Sequence, residues 1–208
     1  MCSSDLVSIE KNSIDMLEIV SEAVQSMTEG ELLQLQKSRK LNIKEEDYFN
    51  IVRGKTAALL SACTACGARA ATDDPDTVRV MKELGESIGI AFQIRDDILD
   101  YEGNGLTGKA QGNDIKEKKI TLPLIYALEK ASLARKRHIL GIVGNRKKSG
   151  ADVKEVIDFV TTSGGIDYAT LKMNQYRDKA LAILDTYPQS DVRKSLVDFV
   201  NYTVQREK

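Results

Sequence analysis

Histidine, cysteine and any surplus of charge are what this sequence has least of, and each shortage closes off a class of chemistry. His138 is the single histidine in 208 residues. No partner motif accompanies it, so histidine-based triads and zinc sites find little support. It is placed on the partly exposed face of a helix, beside Arg137. Cysteines number three. Cys63 and Cys66 form a CxxC without a second pair, inside an Ala-rich run from Thr56 to Ala71, where small buried thiols on a packed helix are expected. Thirty basic residues against 31 acidic ones leave a net charge of −1, so no global positive field draws nucleic acid. The basic runs at 135–137 and 146–148 fit a helix face and a loop. No apolar stretch approaches the ~20 residues of a membrane span, and no signal-peptide pattern opens the chain. The expectation is a cytoplasmic protein with no transmembrane segment. Strands are missing too: no alternating run bounded by turns reads as one.

What is present is helical period over nearly the whole length. Residues 1–12 lack it and are set apart as a non-native or disordered start. Residues 13–208 read as a single all-α domain, large enough for a sizeable core. The pattern predicts helices over about 13–36, 45–70, 76–101, 121–143, 151–163, 166–185 and 190–206. Gly30 interrupts the first of these, where another helix or a ligand could come close. Pro75 and Pro123 stand in first turns, where proline is tolerated.

The chain is organised around Gly89-Ile90-Ala91-Phe92-Gln93-Ile94-Arg95-Asp96-Asp97-Ile98-Leu99-Asp100. Gln93, Asp96, Asp97 and Asp100 fall at i, i+3, i+4 and i+7, one stripe of one helix. Phe92, Ile94, Ile98 and Leu99 are apolar, so the helix is largely packed and the acidic stripe lines a cavity. Like charges at i and i+4 cost about 0.2–0.5 kcal/mol per pair; three carboxylates on a packed helix call for a cation. Oxygen-only ligands suit Mg²⁺, which keeps several waters and shares a ligand's phosphates. Gly85 and Gly89 continue the stripe upstream and would keep room open above the carboxylates. Lys55-Thr56, after Gly54, sits mid-helix in an Ala-rich run. Spacing leaves two readings for Lys55: a stem that snorkels to solvent, or an ammonium aimed into the same cavity.

Beyond the stripe, 102–113 is a glycine-rich loop. Its Gly103 to Ala110 segment falls one residue short of the phosphate-loop pattern GxxxxGK(S/T). That pattern needs a strand before it and a hydroxyl after the lysine. A helix precedes this one and Ala110 follows, so the match is rejected, while phosphate binding through Lys109 and backbone N–H groups stays open.

Five ordered segments then carry a resemblance. They are Glu29-Gly30-Glu31-Leu32-Leu33-Gln34-Leu35; Gly54-Lys55-Thr56-Ala57; Gly89 to Asp100; Gly108-Lys109 with Gly112, Asp114 and Ile115; and Lys119 with Thr121-Leu122-Pro123. Together they resemble the second aspartate-rich region of trans-type polyprenyl diphosphate synthases, with the texture of the long-chain, octaprenyl-like branch. The resemblance implies an isoprenoid-synthase-type helical bundle, usually a homodimer. It implies a prenyltransferase that joins an allylic diphosphate to isopentenyl diphosphate and releases pyrophosphate. Carried onto this sequence, it makes Asp96, Asp97 and Asp100 the residues that take part in holding Mg²⁺, with Asp96 the direct ligand. Lys55 and Lys109 grip the diphosphate. Thr56 and Gln93 face the reacting carbons, and Asp114 and Lys119 belong to a loop that closes over the site.

Three features of that family are missing from these 208 residues: a first aspartate-rich motif, the arginine pair after it, and a Gly-Lys-x-x-Arg segment for isopentenyl diphosphate. The expectation is therefore the C-terminal portion of a prenyl synthase, with N-terminal helices missing. The rival reading is a non-catalytic subunit of a heteromeric synthase.

Overall fold

A computed structural model describes residues 14–102 and 111–206. The start at 1–12 lies outside the described residues, and so does Lys109 with the rest of 103–110. Among the described residues ten α-helices and one π-helical turn carry the fold, and no strand occurs.

Helix α1 (Ile14–Lys40) runs unbroken through Gly30 and overruns its expected end, so only 41–44 remain as a link. Leu41 turns the chain with φ 50°. The backbone N–H of Lys44 then donates to Asp47, and Lys37 pairs with the same carboxylate at 2.8 Å, fixing the end of α1 to the start of the next helix. The expected helix over 45–70 is present as α2 (Glu45–Val52) and α3 (Ala58–Ala71), joined by the π-helical turn Arg53–Ala57. A π-turn widens the helix and is common at functional sites. Here it contains Gly54, Lys55 and Thr56.

Helix α4 (Pro75–Glu102) is the centre of the bundle, packed chiefly on α3 and on α9 (Gly165–Asp185). Asp74 starts it, accepting from the backbone N–H groups of Asp76 and Thr77. Gly85 and Gly89 serve this packing and do not hold room open above the carboxylates. A Cβ at Gly89 would lie 2.5 Å from Ala57 Cα, and one at Gly85 2.4 Å from the Leu60 carbonyl oxygen. The cause is direct backbone contact of α4 with the π-turn at Ala57 and with α3 at Leu60.

The expected helix over 121–143 is two helices, α6 (Leu122–Lys130) and α7 (Leu133–Gly144), after the short α5 (Asn113–Lys116). Ser132 divides them: its hydroxyl accepts from the Arg135 N–H and opens a new helix. Helix α8 (Gly150–Thr162) starts from a capping box between Ser149 and Asp152, and α10 (Asp191–Gln205) is capped by Ser190. The main core joins α2, α4, α6, α7, α8 and α9 through residues such as Ile94, Ile98, Leu124, Ile139 and Val156. A second cluster of Leu84, Ile88, Ala180, Leu184 and Val200 binds the first half of α4 to α9 and α10.

The cysteines depart from expectation. Cys63 is exposed and Cys66 half-buried, because the thiols face away from the α4 contact made by Ala57 and Leu60. Burial, and then Cys63, push the Cys66 thiol up in pKa. His138 is exposed as expected and bonds to Glu155 at 2.9 Å.

Candidate active site

Four segments converge on one cavity of about 240 Å³: α1 gives Gln34, the α2 end and π-turn give Tyr48, Lys55 and Thr56, α4 gives Gln93, Asp96 and Asp97, and the stretch around α5 gives Asp114 and Lys119. Seven of the nine residues singled out in the sequence therefore meet at one place. Asp100 lies off the cavity wall, and Lys109 lies outside the described residues.

Backbone contact sets the position of Lys55. Gly30 and Gly54 cross so closely that a Cβ on Gly30 would sit 2.8 Å from the Lys55 nitrogen, and one on Gly54 2.8 Å from the Ser26 oxygen. The Lys55 ammonium then reaches Glu31 at 2.7 Å and Gln34 at 2.8 Å. Lys55 thus lines the cavity while its ammonium stays exposed and paired with Glu31, so features of both readings left open for this lysine are present.

The carboxylates of the stripe have three different environments. Asp96 is 56% exposed, and its one cationic neighbour among the described residues is Arg206 at 3.5 Å. That guanidinium is stacked 3.8 Å over the Phe92 ring. Asp97 is 3% exposed. It accepts from the Tyr48 hydroxyl at 2.7 Å and from Gln93 Nε2 at 3.0 Å. Burial drives its carboxyl up to about 7, against the lowering effect of those two bonds. Asp100 accepts the backbone N–H groups of Asn113 and Asp114 at 3.0 and 3.1 Å, and so caps α5 from a neighbouring helix and sets Asp114 in the wall.

Asp114 is raised above its usual range by burial and then by Asp100. Lys119 bonds to it at 3.2 Å and to Glu117 at 2.7 Å. Burial works against the lysine's charge, but Glu117 and Asp114 outweigh it and hold the ammonium at about 12. Deeper in the cavity the Thr56 hydroxyl donates to Gln93 Oε1 at 2.9 Å. Among the described residues no three Asp, Glu, His or Cys side chains form a ready-made metal cage.

The Polyprenyl synthetase family model matches residues 1–160. The chain belongs to the polyprenyl synthetase family. It is 32% identical to the octaprenyl diphosphate synthase of Escherichia coli (strain K12), over 94% of this chain and 61% of that protein. Identity to the geranylfarnesyl diphosphate synthase of Aeropyrum pernix is 36%, over 91% and 59% respectively. Among solved structures, a polyprenyl synthase from Caulobacter crescentus CB15, complexed with calcium and isoprenyl diphosphate, is similar with a TM-score of 0.87 at 35% identity, over 96% of this chain and 61% of that one. A geranylgeranyl pyrophosphate synthase from Bacteroides thetaiotaomicron gives a TM-score of 0.88 at 36% identity, over 96% of this chain and 66% of that one. The chain thus spans about three-fifths of the length of the curated relatives it matches.

Two residues that contact the carboxylates of the stripe were not singled out in the sequence as site residues. Tyr48 falls among apolar neighbours on α2 and reads there as core. Its hydroxyl meets Asp97 only because α2 packs on α4, 49 residues further on. Arg206 stands 110 residues after Asp96, with no motif around it. No helix among the described residues is long and apolar enough to cross a membrane.

Proposed function

We propose that this protein is a prenyltransferase that joins an allylic diphosphate to isopentenyl diphosphate and releases pyrophosphate, and that this chain carries the allylic-diphosphate part of the site. One observation carries the reading: Lys55, Thr56, Gln93, Asp96, Asp97, Asp114 and Lys119 line a single cavity with a charged mouth. A calcium and isoprenyl diphosphate complex of a similar protein supports it.

Mg²⁺ fits the donors. They are oxygens alone, Asp96 is free of short contacts among the described residues, and the lack of a closed cage suits an ion that keeps waters and shares phosphate oxygens. Asp96 is the direct ligand, with Asp97 and Asp100 acting behind it. When bound, the metal supplies charge to the diphosphate as it leaves. The chain's own groups do the rest. Lys55 and Lys109 neutralise the departing diphosphate. Thr56 and Gln93 present oxygens to the carbon that becomes cationic, and the apolar wall formed by Ile43, Ile51, Val52 and Ile120 excludes water that would quench it. In this reading the assembled enzyme is a cytoplasmic homodimer.

The test is Mg²⁺-dependent binding of a non-reactive allylic diphosphate analogue, with Asp96→Ala as control. Binding that needs both metal and Asp96 is expected; binding indifferent to both sinks the proposal. Turnover with isopentenyl diphosphate then separates an enzyme from a subunit that binds without catalysing.

A further inference from the structure

The path Thr56, Gln93, Asp97, Tyr48 is a continuous hydrogen-bonded row from the cavity into the core, with steps of 2.9, 3.0 and 2.7 Å. A glutamine side chain has a donating end and an accepting end, and here its Nε2 donates to Asp97 Oδ1. Asp97 therefore takes the amide nitrogen of Gln93 and leaves Oε1 on the other side, next to the Thr56 hydroxyl. Tyr48 holds the second oxygen of the same carboxylate and is itself 5% exposed. Both oxygens of Asp97 are engaged, and the group is almost wholly buried, unlike the exposed Asp96 next to it.

We infer that Asp97 and Tyr48 are positioning residues that fix the direction of the Gln93 amide, so that Gln93 Oε1 and Thr56 Oγ1 are the oxygens offered to the developing allylic cation. The inference rests on the prenyl-transfer reading and deepens it. Asp96 and Asp97, adjacent in sequence, thus have unlike tasks: one faces the leaving group, the other orients a dipole toward the carbon. The reverse amide direction would aim an N–H at the cation and repel it.

The chemistry supplies a test that separates orientation from mere structure. Two probes differ in one atom: an allylic diphosphate analogue with an ammonium at the carbon that becomes cationic, and its neutral isostere. Their affinities for the whole chain are compared by calorimetry with Mg²⁺. In Asp97→Asn the new amide accepts from Tyr48 and donates to position 93, which turns the Gln93 amide around. Affinity for the ammonium probe is expected to fall about tenfold relative to that for the neutral probe, the scale of one hydrogen bond to a charged group. Tyr48→Phe should lower the same ratio by a smaller factor. The double change Gln93→Glu with Asp97→Asn restores an oxygen toward the cavity, so the preference for the ammonium probe should return.

Equal loss for both probes, or no loss for either, overturns the inference. Failure of the double variant to recover the preference also overturns it. If the unaltered chain binds neither probe, the prenyl-transfer reading fails first and the inference with it. Far-UV circular dichroism and a cooperative thermal melt show whether the Asp97→Asn variant is folded.

Discussion

At the scale of single residues, burial decides what each carboxylate of the stripe does. The i, i+3, i+4, i+7 spacing placed Gln93, Asp96, Asp97 and Asp100 on one helix face, but spacing says nothing of depth. Asp97 faces α2 and is buried, while Asp96, one residue earlier, is half in water. A pH prediction follows from the depth of Asp97. Its folded-state carboxyl titrates at about 7, above the ordinary 3.8. Between those values the unfolded chain has released this proton and the folded chain still holds it, so the group's contribution is fully present below pH 4 and fades as pH rises through 7. The loss is at most about 4 kcal/mol by the energy of a pKa unit. Urea unfolding of the unaltered chain and of Asp97→Asn from pH 4 to pH 8 checks it. The stability difference should move in favour of the Asn variant with rising pH, and a constant difference would contradict it. Asp114, raised in the same direction, is present in both proteins and largely cancels.

At the scale of elements, the helices were legible because most bury one stripe and expose the rest, and because Pro75 and Pro123 mark two of their starts. Two features were not. The break between α6 and α7 at Ser132 has apolar residues on both sides that keep period across it, so only the Ser132 cap shows it. The π-turn at Arg53–Ala57 leaves no mark in hydrophobic period either. The glycines show the same limit, since sequence flags where a Cβ is missing and cannot say what occupies the space. At Gly89 it is the backbone of Ala57. Backbone cannot swing aside as a long side chain can, so Gly89→Ala should overpack the contact between α4 and the π-turn. Overpacking costs about 1–3 kcal/mol, against a gain of about 1 kcal/mol in helix propensity. A net loss of up to about 2 kcal/mol is expected in a thermal melt, whereas a rise in Tm would show that the π-turn and α4 can part freely. Gly30→Ala carries a different signature. Its Cβ would meet the Lys55 nitrogen at 2.8 Å, so diphosphate affinity should weaken as the lysine is displaced. Unchanged affinity in a folded Gly30→Ala variant would remove the π-turn from the account of how Lys55 is aimed.

At the scale of the whole molecule, the exposed apolar surface is uneven. On α10, Val192, Leu196, Phe199 and Tyr202 recur at helical spacing along the outer face, and Val192 is 71% and Tyr202 65% exposed. On α1, Val24, Leu32 and Leu35 are each at least half exposed. Apolar side chains scattered singly over a surface need no partner, but stripes that run along three turns mark association or aggregation. The sequence shows the same residues at the same spacing without showing that nothing among the described residues covers them, because an uncovered stripe and a core stripe have the same period. The isolated chain is therefore expected to self-associate with rising concentration. Phe199→Glu and Leu32→Glu, made separately, should identify the face responsible. Each removes a surface contact without touching the core, so unfolding midpoints should stay close to those of the unaltered chain, as surface changes usually fall within about 0.5 kcal/mol. Sedimentation velocity reads the outcome. Loss of the larger species in Phe199→Glu alone assigns association to α10, and loss in Leu32→Glu alone assigns it to α1. A monomer at every concentration, with one sharp melt, would mean that both stripes are tolerated in water and that the bundle is stable without a cover.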